Sequence, residues 1–456
     1  MTIAEQLAAF AAGVTYDDLS DNVLKQVKLL VLDTIGCAIG SLGAEPVRYL
    51  RQQADDFGGE GRCTLIGGGM TAPDRATFYN TSLVRYLDFN DGYMGPMGTS
   101  HPSDNMAPVL AAAEYADASG RDFMAALALA YQVQCRFCDI VPSEKNGFDQ
   151  GLAISYSVAA GASRALALDP AHTAQAIALS GACQNPLFVS RTGNISHWKG
   201  FATANAAFNS VHAAFLAMRG VTGPIQIFEG RRGLFESITG PFEIDWASED
   251  LEKTLGISVK KFNAGVHSQT AIEGVTEMKG EHQIAPDQIE SVAVETYERA
   301  YFIMGGGGAG DKHDVQNKET ADHSLPYVIA AGLIDEQVMP AQYELDRILA
   351  EDVQALLRRV TISCEDDLTA RYPAQSPVRI TINMKDGAVF EKEKPGFEGF
   401  PASPMRWETL LGKFEELSGP HTSADLRGEI TDAVERLDSI QIRELTVLLG
   451  RVEESA

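Results

Sequence analysis

Residues 85–105 read RYLDFNDGYMGPMGTSHPSDN, and this one connection gathers acid, imidazole, hydroxyl and amide groups. Asp88 and Asp91 stand three apart. His101, Ser103 and Asn105 follow a loop rich in Gly and Met. A helix cap or a turn would account for one such acid. An acid and a base packed with polar neighbours suit proton transfer instead, with Asp88 and His101 as the transferring groups. Asp91 is expected to orient its neighbours. Ser103 and Asn105 are expected to hydrogen-bond a substrate or to hold the loop.

Proton transfer next to a carboxylate needs positive charge, and two further stretches offer it. In RTGNISHWKGFATANAA (191–207), Lys199 and Gly200 sit where an apolar helix begins. Amide groups at a helix start together with an ammonium would hold a carboxylate. Lysine normally favours the opposite helix end, so its placement points to an anionic ligand. Arg191 opens the same stretch as a further candidate for substrate binding. In VKKFNAGVHSQTAIEG (259–274), Lys260 and Lys261 precede Phe262, and His267 stands five residues beyond it. Asp322-His323-Ser324 reads first as an N-cap for the helix that follows.

Other motifs fail. Cys135-x-x-Cys138 lies within a helical pattern and has no second cysteine pair, which disfavours zinc and iron–sulfur clusters. IMGGGGAG (303–310) lacks the lysine and the strand–turn–helix context of a phosphate loop, and reads as a loop. There is no GxSxG and no HExxH. Neither a metal nor another cofactor is expected.

The elements that must position these residues fall into two kinds. The chain has 456 residues, 45% of them hydrophobic and 22% charged, which suits two globular domains. DNVLKQVKLLVLDTIGCAIG places Leu24, Val27, Val31 and Ile35 on one helical face. The Ala-rich stretches that follow, up to KGFATANAAFNSVHAAFLAMRG, are nearly apolar all round, as helices buried against helices are. After about residue 257, SVAVETY, RVTISC and VRITINM alternate with period two. Lys385-Asp386-Gly387 predicts a hairpin turn. Helix returns at MRWETLLGKFEELS. The expected fold is mainly α: an all-helical domain over residues 1–257 plus 402–456, with a smaller α+β lid domain, 258–401, inserted.

A net charge of −25 disfavours nucleic acid and anionic membranes as partners. No apolar run reaches the length of a membrane span. MTIAEQLAAFAAG makes a poor signal peptide. Six scattered cysteines suit a reducing cytoplasm.

RYLDFNDGY…HPSDN, HWKGFATANAA, VTGPIQIFEG, KKFNAGVHSQTAIEG and ETADHSLPYVIAAGLID occur in this order, and together they resemble the MmgE/PrpD family of dehydratases, decarboxylases and epimerases of small polycarboxylates. The resemblance implies a helical domain with an α+β lid, a homodimer, no metal or nucleotide, and a small polycarboxylate substrate. By motif, the family's acid falls on Asp88, its loop histidine on His101, its first lysine on Lys199, and its second on Lys260 or Lys261. HPSDN, VHSQTA and ETADHSLPY look most like the methylcitrate and citrate dehydratase branch. Gly92 stands where many members carry Thr. Asp149 and Gln150 stand where some members place a histidine that the decarboxylase branch uses. The expected activity is dehydration of a 2-methylcitrate- or citrate-like tricarboxylate. Decarboxylation of cis-aconitate, isomerisation of a related diacid, and a non-catalytic role are the alternatives.

Overall fold

The computed structural model describes residues 1–192, 196–308 and 310–453. The fold is mainly α and divides into two compact units, Met1–Ile257 with Trp407–Ala456, and Ser258–Arg406. Residues 402–406 stay with the second unit, where Arg406 Nε donates to Glu398 Oε1 at 2.9 Å.

The first unit is a pile of helices. Met106–Tyr115, Gly120–Ile140 and Gly151–Ala165 are buried at almost every position, as their unbroken apolar sequence requires. In Asp21–Ile39 the buried stripe begins at Val23 rather than Leu24, and it continues through Val27, Val31 and Ile35. The returning helix Trp407–Ser418 packs on that helix. Glycine permits the close approach: a Cβ on Gly40 would lie 3.0 Å from Leu417, and one on Gly36 would lie 3.2 Å from Phe414. The unit is not wholly helical. Two short hairpins interrupt it, Cys63–Thr64 with Met70–Thr71 and Tyr93–Gly95 with Gly98–Ser100. Strands of two or three residues containing Gly and Met give no period-two signal, so the pattern alone cannot reveal them.

The second unit holds a four-stranded sheet in the order Val360–Cys364, Ile289–Thr296, Val378–Met384, Val389–Lys394. The first pair is parallel, with Val292 opposite Val360, and the other two are antiparallel. Gly387, at φ +90°, turns the last hairpin where Lys385-Asp386-Gly387 predicts it. Inward residues Val292, Val294, Ile380 and Ile382 share one core with Ile272 and Val275 of the helix Gln269–His282 and Ile329 and Leu333 of Leu325–Asp335. Among the described residues no helix is long and apolar enough to cross a membrane.

Candidate active site

The helix Pro73–Tyr86 ends through Leu87, and Asp88 follows in the left-handed region at φ +54°. Few side chains adopt that conformation cheaply; Asp and Asn are the ones that do. Its amide donates to the Arg85 carbonyl at 3.1 Å. The turn therefore projects the Asp88 carboxylate back over the last helical turn, where Arg85 Nη1 donates to Oδ1 at 2.7 Å. Lys199 Nζ lies 3.5 Å from Oδ2. Asp88 is buried between two cations.

The hairpin Tyr93–Ser100 brings the chain back. It is pinned to the helix Gly120–Ile140, where the Cys138 thiol donates to the Gly98 carbonyl at 2.8 Å and the Met97 amide to the Cys138 carbonyl at 3.1 Å. Burial pushes the Cys138 thiol up to about 12, so it remains a neutral donor. This gives the Cys-x-x-Cys pair a packing role. His101 then sits with Nδ1 2.6 Å from the Asp91 carbonyl and Nε2 3.1 Å from Arg85 Nη2. Nε2 is 4.0 Å from Asp88 Oδ1. The His101 amide donates to Gln150 Oε1 at 2.7 Å.

Asp91, Ser103 and Asn105 turn inward and form the floor. Asp91 Oδ1 accepts from the Ser103 amide at 3.0 Å and the Ser103 hydroxyl at 2.6 Å. Asn90 Nδ2 donates to Ser103 Oγ at 2.9 Å. Asn105 donates to the Pro102 carbonyl and to Gln134, and accepts from Ser157 Oγ at 2.7 Å. All three are buried, and the bonds of Asp91 Oδ1, Ser103 and Asn105 hold the loop, while Asp91 Oδ2 has no hydrogen-bond partner among the described residues. Burial pushes Asp91 up to about 7, against the two bonds from Ser103. Burial likewise pushes Asp104 up to about 6, against the pull of Arg85.

Lys199 is the second residue of the helix Trp198–Met218, as its sequence position suggests. The amides of Lys199 and Gly200 are already taken, by the carbonyls of Ser196 and His197 at 3.1 and 3.0 Å. The expectation of open amides there is corrected: the ammonium and the helix dipole, not those two N–H groups, carry the positive charge. Arg191 makes a two-pronged pair with Asp149, at 2.5 and 3.2 Å, which commits its fork to a protein carboxylate. Gly193, Asn194 and Ile195 of this motif, and Ala309 of the glycine-rich stretch, lie outside the described residues.

In the second unit Lys260 is buried, whereas Lys261 donates to Glu273 at 3.1 Å and Glu398 at 3.3 Å. Burial works against the Lys261 ammonium, but those carboxylates outweigh it and raise its pKa. Lys261 is therefore occupied in a structural ion pair. His267 is buried, with Nδ1 2.7 Å from the Tyr297 hydroxyl and no partner on Nε2 among the described residues. Burial, reinforced by the charges of Arg299, His323 and Lys260, pushes it down to about 3 and keeps it neutral. Ser324 alone supplies the cap expected of Asp322-His323-Ser324, accepting from the Tyr327 amide at 3.1 Å. Asp322 instead pairs with His323 Nδ1 at 2.5 Å and Lys318 at 3.0 Å.

Arg85 is the residue that sequence reading passed over. It stands three before Asp88 at a helix C-terminus, the spacing of an ion pair and the end a cation favours. Asp33 and Lys413 were also missed. Lys413 Nζ is 2.6 Å from Asp33 Oδ1, donates to the Phe89 carbonyl at 3.0 Å and lies over the Phe89 ring at 3.8 Å.

Residues 5–247 match the MmgE/PrpD N-terminal domain, and residues 262–439 match the MmgE/PrpD C-terminal domain. The chain belongs to the MmgE/PrpD family. Among its relatives, the cis-aconitate decarboxylase of Mus musculus is 24% identical, over 96% of this chain and 91% of its own length. The 2-methylcitrate dehydratase of Escherichia coli K12 is 27% identical, over 79% and 78%. The mitochondrial 2-methylcitrate dehydratase of Yarrowia lipolytica is 25% identical, over 82% and 75%. This member of the family shares its chain length most fully with the decarboxylase and its highest identity of the three with the bacterial dehydratase.

Proposed function

We propose that this MmgE/PrpD protein is a hydro-lyase that converts a 2-methylcitrate- or citrate-like tricarboxylate to the corresponding aconitate. The observation that carries this reading is an acid, an imidazole and an ammonium drawn around one guanidinium: Asp88, His101 and Lys199 about Arg85. Dehydration removes a proton α to a carboxylate and expels a β-hydroxyl. His101 presents its ring nitrogen Nε2 as an acceptor and takes the proton. The Lys199 ammonium, at a helix N-terminus, neutralises the carboxylate on which charge builds. Asp88, as a carboxylate, places Lys199, whose ammonium gives the departing hydroxyl its proton; water leaves, and the proton taken up by His101 returns to Lys199 through solvent before the next turnover. In the second unit Lys261 is held by Glu273 and Glu398, which leaves Lys260 and His267 as that unit's candidate residues. On this reading the side chains supply the charge and no metal is required, and a homodimer in the cytoplasm is the proposed setting.

One observation favours a second reading, cis-aconitate decarboxylation: the mouse decarboxylase aligns along almost the whole chain. Asp149 and Gln150 weigh against it, because they occupy the segment where the decarboxylase branch places a histidine, and both are bound to neighbours. Incubation with a panel of di- and tricarboxylates tests both, following the absorbance of the conjugated alkene and released CO2 separately, with and without a chelator. The proposal expects alkene from citrate or 2-methylcitrate, no CO2, and no loss on chelation. CO2 from cis-aconitate without dehydration would replace it with the second reading, and loss of turnover on chelation, restored by one ion, would remove the metal-free mechanism.

A further inference from the structure

We infer that Arg85 is a positioning residue that fixes the protonation pattern of the site, holding Asp88 as a carboxylate and His101 as a neutral imidazole with its proton on Nδ1. The partners dictate this. A backbone carbonyl can only accept, so the 2.6 Å contact of Nδ1 with Asp91 O places a proton on Nδ1. A guanidinium can only donate, so Arg85 Nη2 at 3.1 Å requires a bare lone pair on Nε2. An imidazolium would point a second N–H at the guanidinium. The same fork donates through Nη1 to Asp88 Oδ1 at 2.7 Å and Asn90 Oδ1 at 3.3 Å, which demands acceptors there.

The cost of this placement is visible. The Arg85 side chain is 2% exposed, and its Nε has no hydrogen-bond partner among the described residues. A buried donor left unmade costs about 1–3 kcal/mol. The guanidinium is thus aimed at the acid and the base together rather than placed to satisfy all its own donors.

Within the first unit, the charged groups named here act in the same sense or are already matched. From the loop, Asp88 lies 4.0 Å from Nε2 and is itself held by Arg85 and by Lys199 of Trp198–Met218. Before the helix Gly151–Ala165, Gln150 is neutral and Asp149 is paired with Arg191. Below, Asp91 and Asp104 are buried acids pushed toward neutrality by burial, and Asp33 is paired with Lys413. Arg85 Nη2 contacts the imidazole directly, at 3.1 Å from Nε2. Proton uptake at Nε2 therefore requires the Arg85–His101 contact to break, and losing Arg85 makes His101 easier to protonate.

The inference rests on the proposed reaction only for what the pattern serves; the pattern itself is testable without substrate. The experiment is a two-bond 1H–15N correlation spectrum of the full chain labelled with 15N-histidine, near neutral pH, with the His101 signals assigned by their loss in His101→Gln. The expected result is a protonated Nδ1 and a bare Nε2 on His101. In Arg85→Gln, the proton on Nδ1 should stay with the Asp91 carbonyl, and the titration of Nε2 should move up by about one pH unit or more. Arg85→Lys keeps a cation without the planar fork, so it should restore the lower titration in part. A wild-type spectrum with the proton on Nε2, or a charged ring, would overturn the inference, as would an Arg85→Gln protein whose His101 titrates as in wild type. If Arg85→Gln fails to fold, Arg85→Met carries the same comparison of the His101 titration. Turnover of the substrate panel is read separately, so a wrong substrate class leaves this result standing.

Discussion

At the scale of single residues, Asp88 has two jobs that can be separated. Its left-handed backbone ends a helix, and its carboxylate binds Arg85 and Lys199. Asparagine tolerates the same backbone conformation but carries no charge. Asp88→Asn should therefore fold with native circular dichroism and lose about a hundredfold or more in kcat, the scale of a positioned acid or base. A fall in melting temperature with kcat per folded molecule unchanged would mean that Asp88 only terminates a helix. Asp91 offers a pH test with a defined sign. Its carboxyl is pushed up to about 7 by burial, so the folded state prefers the protonated form. That preference stabilises the fold fully below about pH 4, the ordinary value, and is lost as pH rises through 7. Asp91→Asn mimics the neutral form and keeps an acceptor for Ser103. Its melting temperature should gain on wild type by a few degrees between about pH 5 and pH 8, at roughly 2–4 °C per kcal/mol. A difference that stays constant over that window would remove the assigned titration.

At the scale of elements, the candidate site rests on contacts that periodicity cannot express. Amphipathic stripes and alternating strands gave the helices and the four-stranded sheet, because each writes its burial into local spacing. The residue types of the candidate site were legible for a different reason: Asp88 and His101 stand in one connection crowded with polar groups, and Lys199 stands at the start of an apolar helix. The hairpin Tyr93–Ser100 was not, because its pairing is set by Cys138 and Asp139 on another helix. Nor was the inward turn of Ser103 and Asn105, since a polar side chain satisfied by the core has the same letter as one facing a ligand. Lys413 is the extreme case: it reaches the Phe89 carbonyl across 324 residues of sequence. With Asp33 it ties the returning helix Trp407–Ser418 to the loop that carries Asp88. Lys413→Met leaves Asp33 as an uncompensated buried charge and should cost about 3–5 kcal/mol in denaturant unfolding. Adding Asp33→Leu should recover most of that stability. It should not recover full kcat, because the Phe89 carbonyl has still lost its donor. Equal stability in the single and double variants would mean that the pair is solvated rather than buried.

At the scale of the whole molecule, the proposed tricarboxylate substrate sets a problem: a chain of net charge −25 would have to bind a polyanion. Two fields act on the approaching substrate, and salt separates them by distance. The surface acids act from afar, and charges farther apart than the Debye length, about 10 Å at 0.1 M, are screened. Lys199 acts at contact range, where a charge pair about 4 Å apart is worth roughly 4 kcal/mol at an effective dielectric of 20. Raising salt to about 0.1 M should first remove the distant repulsion, so the affinity for citrate should rise. Beyond that point the remaining dependence reports the local cations, and affinity should fall as ions compete for them. Calorimetric titration of citrate across ionic strength should therefore show a maximum rather than a monotonic decline. Lys199→Ala should keep the rising limb, which belongs to the surface, and flatten the falling one. A variant that bound citrate as tightly as wild type along both limbs would show that the carboxylate is held elsewhere, and the reaction would have to draw its charge stabilisation from some group other than Lys199.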